Sequence, residues 1–380
     1  MTTTVESDPS SRRERLEDVL VVDCDVHVHE SAAALAPYCD PPWRTSLETV
    51  SQVEERYLDI PGLSAGGTGK TGPVFPTGSA GVRVVETPEA MRAELSAIGV
   101  DIGILFPDHL LKLPLVSPRE YAAALARAYN AWLVDRWCAP GTGLLGCLVA
   151  CPQDPEDTAR EIERYADHRG VVGVYLPCAA VEPLWGNRCY DPIFRAAQDA
   201  GFPVLLHSVT VIYPVFPANI HGFETGFAIH SVGHTFAIMA NLISLIETAV
   251  PVRFPQLKVA ATEAGISWVP FLCNRLDKEY LERRSEVPLL EERPSTYLKR
   301  FYYATQPIEE PEDLADVVAL VDLYDGSDTT VFASDWPHHD FDHPMKLAQM
   351  PFPPETRRKI LGQNALPLFS IDEHGERLQR

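Results

Sequence analysis

The sequence predicts an α/β fold, a (β/α)8 TIM barrel with a long insertion after its first strand. Three observations predict it. Eight short apolar runs recur along the chain, at 19–24, 100–106, 143–150, 171–176, 203–206, 257–261, 301–305 and 329–334. Longer helical patterns fall between most of them. The runs are apolar on both faces, as parallel strands covered by helices must be. A doubly wound open sheet is the alternative, but eight strands closed into a barrel leave no edges to protect.

The elements follow in order. Residues 1–18 are polar, carry both charge signs and lack the apolar stretch of a signal peptide, so they read as a flexible leader. The first strand leads into Asp23-Cys-Asp25-Val-His27-Val-His29-Glu30. About 75 residues then separate it from the second strand, far more than an ordinary βα connection. This insertion, 30–98, is rich in glycine and proline at 61–81, and on a barrel it is expected to lie over the catalytic face as a lid. It contains Ser64-Ala-Gly-Gly-Thr-Gly-Lys70-Thr71, which resembles a phosphate-binding loop. Serine stands where that motif needs glycine, and Gly72-Pro73 follows where a helix must open, so nucleotide binding is not expected.

Helices are expected at 118–138, with Ser117 as N-cap, and at 154–168 and 191–200, each opening on Asp-Pro, which suits a first turn. Further helices are expected at 235–250, 269–282, 310–324 and 354–361. The barrel domain spans 19–370, and 371–380 is a tail.

The 380 residues are 46% hydrophobic and 22% charged, as in ordinary globular proteins. Acidic residues outnumber basic ones 53 to 32, for a net charge of −21. Such a surface repels nucleic acid and anionic membranes, so neither is an expected partner. No window of 18 or more apolar residues reads as a membrane span. The eight cysteines form no Cys-x-x-Cys pair and read as buried, reduced thiols of a cytoplasmic protein.

The chemistry gathers at strand ends. His27 and His29 are two apart, so in an extended chain their side chains point to one side. Two imidazoles so placed are half of a transition-metal site. His207 ends the fifth strand, Glu263 the sixth and Asp335 the eighth. A barrel brings these C-terminal strand ends onto one rim. His27, His29, His207 and Asp335 then form a set of three nitrogens and one oxygen with room for water, the open coordination of a catalytic site.

Together, Asp-x-His-x-His after the first strand, His207 after the fifth and Ser334-Asp335-Trp336-Pro-His338 after the eighth resemble the amidohydrolase superfamily. The similarity extends to Tyr190-Asp-Pro-Ile-Phe, Arg275-Leu-Asp277 and Lys359-Ile-Leu-Gly-Gln-Asn364-Ala365. The branch it most resembles is the amidohydrolase-2 group, which includes aminocarboxymuconate-semialdehyde decarboxylase and aromatic-acid decarboxylases. The resemblance implies one divalent metal held by His27, His29, His207 and Asp335, with Asp335 also moving a proton. The fourth strand has Tyr175 in a run without the lysine that binuclear members carbamylate. Zinc suits the ligands best, with manganese or iron next. The resemblance also implies a homo-oligomer.

One departure matters. The decarboxylase group carries a histidine two residues before a glycine after the sixth strand; here Glu263 precedes Gly265. Glu263 is therefore expected in the site as an acid, a base or a carboxylate that orients a ligand. His234, four residues after His230, is a candidate to replace the missing histidine. Asp25, His230, His338, Arg44 and Trp336 are expected around the substrate or behind the ligands. Arg44, Arg83 and Arg275 are candidates to grip a substrate carboxylate. The expected reaction is hydrolysis of a small cyclic, aromatic or heteroaromatic molecule by metal-activated water. Non-oxidative decarboxylation of an aromatic or enoic acid is the alternative, and a metal-free binding barrel is a third reading.

Overall fold

The computed structural model describes residues 16–51, 85–139, 141–209, 223–338 and 340–378. The phosphate-loop look-alike at 64–71, Arg83 and most of the glycine-rich insertion lie outside these residues. Among them, eight parallel strands run in sequential spatial order: β1 Val22–Val28, β2 Ile102–Pro107, β3 Leu144–Val149, β4 Val171–Pro177, β5 Val204–His207, β6 Val259–Ala261, β7 Tyr302–Ala304 and β8 Thr330–Val331. Cys24 N donates to Phe332 O (3.0 Å), Asp335 N to Asp25 O (3.1 Å) and His27 N to Trp336 O (2.8 Å), which joins β1 to the segment after β8 and closes the barrel.

Each expected strand has an observed counterpart. Residues on both faces of β1 to β6 are buried, as parallel strands under helices require. The main shift is in β1, which runs on to Val28 because His27 and Val28 pair with Phe106 and Pro107 of β2.

The helices obey local rules with one exception, and one helix starts earlier than expected. Asp154 caps Pro155–Tyr165 by accepting from Asp157 N (3.1 Å), and proline occupies its first turn. Asp191–Ala200 ends on Gly201 in the left-handed region, at φ 62°. Arg119–Arg136, by contrast, starts from Pro118 without a side-chain cap, so Ser117 does not serve. Gly226–Glu247 begins nine residues earlier than the pattern indicated, because Thr225 caps it through Ala228 N (3.3 Å). This placement puts His230 and His234 inside the helix.

Two expectations need correction. The insertion is not wholly a lid: Pro88–Ala97, capped by Thr87, is an ordinary barrel helix leading into β2. Its Leu95 packs so closely on β2 that a Cβ at Gly103 would lie 2.8 Å from the Leu95 side chain. The chain also contains a helix long and apolar enough to cross a membrane, Phe227–Glu247. Its most apolar stretch is 56% buried, and Ile238, Leu242 and Leu245 belong to the core, which is how a barrel-covering helix meets the same test. Of the cysteines, only Cys189 is exposed among the described residues.

The expected last helix splits into Pro354–Arg358 and a π-helical turn, Lys359–Gln363. Ile360 O there accepts from Phe332 N (2.8 Å). Asn364 is buried and donates Nδ2 to Thr330 O (2.7 Å) and Ser327 O (3.0 Å), pinning the start of β8. Asn364→Ala leaves two carbonyls without that donor and should lower stability by about 1–3 kcal/mol in a urea titration.

Candidate active site

The site is assembled by the C-terminal ends of β1, β5, β6 and β8. Asp25 and His27 alternate on β1 and share one side of it. His207 is the last residue of β5, and Asp335 follows β8. The four are buried, and one ligand atom from each lies within 4.8 Å of the others. His27 Nε2 is 3.0 Å from Asp335 Oδ1 and 3.3 Å from Asp25 Oδ1, while His207 Nε2 is 3.2 Å from Asp25 Oδ2.

The backs of both rings are held. His27 Nδ1 bonds Pro107 O at 2.7 Å, and His207 Nδ1 bonds Ser208 O at 2.8 Å. A carbonyl there requires Nδ1 to donate, so in the neutral ring each Nε2 is a lone pair aimed inward. Both Asp25 oxygens, both Nε2 atoms and Asp335 Oδ2 are buried without a hydrogen-bond partner. Converging buried acceptors are costly unless a cation satisfies them, so these residues fit a divalent metal.

His29 is not in this group. β1 ends at Val28, so the alternation that aligns Asp25 with His27 stops one residue short of His29. Its Nδ1 turns to Asp108 Oδ2 (3.1 Å), beside His109, after β2. The converging set is therefore two imidazoles and two carboxylates. Asp108 and His109 escaped the sequence reading, and Glu30 figured there only as the end of the first-strand motif. The rule that flagged His207 and Asp335 applies equally to Phe106-Pro-Asp108-His109 at the end of β2.

The turn after β8 is tightly built. Asp23 Oδ1 accepts from Ser334 N (2.9 Å) and Oδ2 from the Ser334 hydroxyl (2.5 Å). Asp335 adopts φ 61° and Glu263 φ 53°. Left-handed backbone at two non-glycine residues costs on the order of 1–3 kcal/mol each and is a common mark of a functional site. In both cases it carries the strand-end carboxylate at this rim.

Glu263 meets two histidines: its Oε2 is 2.9 Å from His234 Nδ1 and 3.3 Å from His207 Nδ1. His230 lies one turn before His234 and faces Asp340 Oδ2 at 3.4 Å. His338 Nδ1 is 2.6 Å from Asp335 Oδ1, and its ring lies 4.3 Å from that of His27. Trp336 is buried in the β1–β8 seam. Arg44 is exposed and bonds Cys39 O (2.9 Å), and exposed Arg275 pairs with Glu279. Neither reaches the four-residue group by any of these bonds.

Burial opposes charge throughout the site, and the partners decide the outcome. The His338 and His27 rings hold Asp335 well below the usual carboxylate range despite its burial. Asp25 is likewise buried yet lowered by His207 and His27. Burial, with Asp335 next, pushes Glu263 well above its usual range. Burial also pushes His234 down to about 4. Two carboxylates displaced in opposite directions suit an ionised ligand and a neutral acid.

Comparison with known proteins adds to this geometry. A family profile described as Amidohydrolase matches residues 24–371. A gamma-resorcylate decarboxylase from Polaromonas sp. is 24% identical over 260 residues, covering 65% of this chain and 76% of that protein. The 5-carboxyvanillate decarboxylase LigW from Sphingomonas paucimobilis superposes with a TM-score of 0.68 at 21% identity, covering 93% of this chain and all of the other (100%). A dihydroxybenzoic acid decarboxylase from Polaromonas sp., solved with bound manganese and 2-nitroresorcinol, gives 0.63 at 18% identity, with 93% and 97% covered. These relatives are decarboxylases, which overturns the expectation of hydrolysis. That expectation leaned on the lack of a clear carboxylate clamp and on the missing sixth-strand histidine, whose neighbourhood is occupied by the Glu263–His234 pair.

Proposed function

The chain belongs to the amidohydrolase family, and from that membership we propose that it is a metal-dependent, non-oxidative decarboxylase of a hydroxylated aromatic carboxylic acid. The observation that carries this reading is the buried Asp25–His27–His207–Asp335 group with Glu263 and His234 against its edge. The decarboxylases named above supply the substrate class.

Asp25, His27, His207 and Asp335 would hold the metal. Two carboxylates beside two imidazoles are harder donors than three imidazoles and one carboxylate, which favours manganese over zinc. The manganese-bound Polaromonas relative agrees. A cation held by these four residues would supply positive charge to attract an anionic hydroxybenzoate.

The protein's own groups carry the proton. The ring carbon bearing the carboxylate accepts a proton, the bond to the carboxylate carbon breaks, and its electron pair restores the aromatic ring as carbon dioxide leaves. Glu263 Oε2 is placed to hold that proton and His234 to pass it on, since the two are in contact. His338 orients Asp335 through its Nδ1.

The test is turnover of manganese-loaded protein with gamma-resorcylate, 5-carboxyvanillate and related hydroxybenzoates. Carbon dioxide should appear in step with the arene, and in heavy water one deuterium should occupy the vacated ring carbon. Entry of 18O from labelled water into the product without carbon dioxide would overturn the proposal.

A further inference from the structure

We propose a second divalent-cation site, built by His29, Asp108 and His109 where the loops after β1 and β2 meet. One ligand atom from each of the three lies within 4.8 Å of the others. Two imidazoles and one carboxylate on a half-buried surface form a three-ligand set with open positions, suited to zinc-class first-row cations.

The group is held from behind. Glu30 is fully buried, and its carboxylate accepts from Asp108 N (3.0 Å) and Leu110 N (2.7 Å). Its backbone carbonyl bonds His109 Nδ1 at 3.0 Å, which makes Nδ1 the donor and, in the neutral ring, leaves the proton off Nε2. Glu30 thus fixes both the loop that carries the group and the tautomer of one ligand. Among the described residues, His29 also lines a cavity of about 580 Å³ with Tyr38, Trp132, Arg136 and Trp137.

The group is separate from the barrel site but adjoins it. His338 stands between them, with Nδ1 2.6 Å from Asp335 Oδ1 and Nε2 3.8 Å from Asp108 Oδ1. Cations in both sites would each face a carboxylate across that ring, and the intervening negative charge offsets their repulsion. The site does not depend on the decarboxylase reading, because it shares no ligand with the barrel group.

Titration of metal-stripped protein with zinc against a chromophoric chelator tests the proposal. The native chain should bind two equivalents. His109→Ala and the near-isosteric Asp108→Asn should each bind one, as should His207→Ala, and His109→Ala combined with His207→Ala should bind none. Circular dichroism establishes that each variant is folded. One equivalent in the native chain, lost in His207→Ala but kept in Asp108→Asn, would overturn the second site and leave the barrel site standing. One equivalent lost in Asp108→Asn but kept in His207→Ala would support the second site and remove the barrel one. Two equivalents retained in both His109→Ala and Asp108→Asn would also overturn it.

Discussion

Replacing His207 with alanine should remove the barrel cation and reduce turnover by about 1000-fold or more. The cation contributes several kcal/mol of charge stabilisation, and each 1.36 kcal/mol is a factor of ten in rate. Asp25→Ala should do the same, because Asp25 occupies the position in the converging group that the motif spacing assigned to His29. His29→Ala should keep the barrel cation and most of the activity. Elemental analysis with a decarboxylation assay checks all three. Full metal retention in His207→Ala, or loss of the barrel cation in His29→Ala, would mean the ligand set is drawn wrongly.

Glu263→Gln should lower kcat about 100- to 10000-fold, the usual contribution of a positioned acid or base, while metal content and KM change little. The amide keeps the size of the carboxyl group but has no acidic proton to give. His234→Ala should fall in the same range and His230→Ala much less, since His230 faces Asp340 rather than Glu263. Single-turnover rates in heavy water provide the check: an unchanged kcat and solvent isotope effect in Glu263→Gln would remove Glu263 from the proton path.

Much of this was legible along the chain because it rests on short-range periodicity. Runs apolar on both faces mark β1 to β6, and Asp-Pro openings mark Pro155–Tyr165 and Asp191–Ala200. His207, Glu263 and Asp335 are recognisable as strand-end residues because a barrel places every such end on one rim. Less legible was the helix Pro88–Ala97, hidden inside what read as one long insertion. Its Thr87 cap and buried Met91 and Leu95 are weak signals until β2 is there to pack against.

The sequence by itself determined the fold class and a rim of histidines and carboxylates, which follow from local pattern and spacing, and its motifs resembled the family. Only the tertiary structure decided which of them converge. The spacing Asp-x-His-x-His permits either the first pair or the second to face the barrel axis. The choice falls to Asp25 and His27 because β2 pairing carries β1 to Val28 and no further. His29, released from the strand, is drawn to Asp108 instead. Likewise Glu263 and His234, apart along the chain, meet because the segment after β6 is tied to the helix Gly226–Glu247, where the Thr235 hydroxyl donates to Ala264 O (3.0 Å).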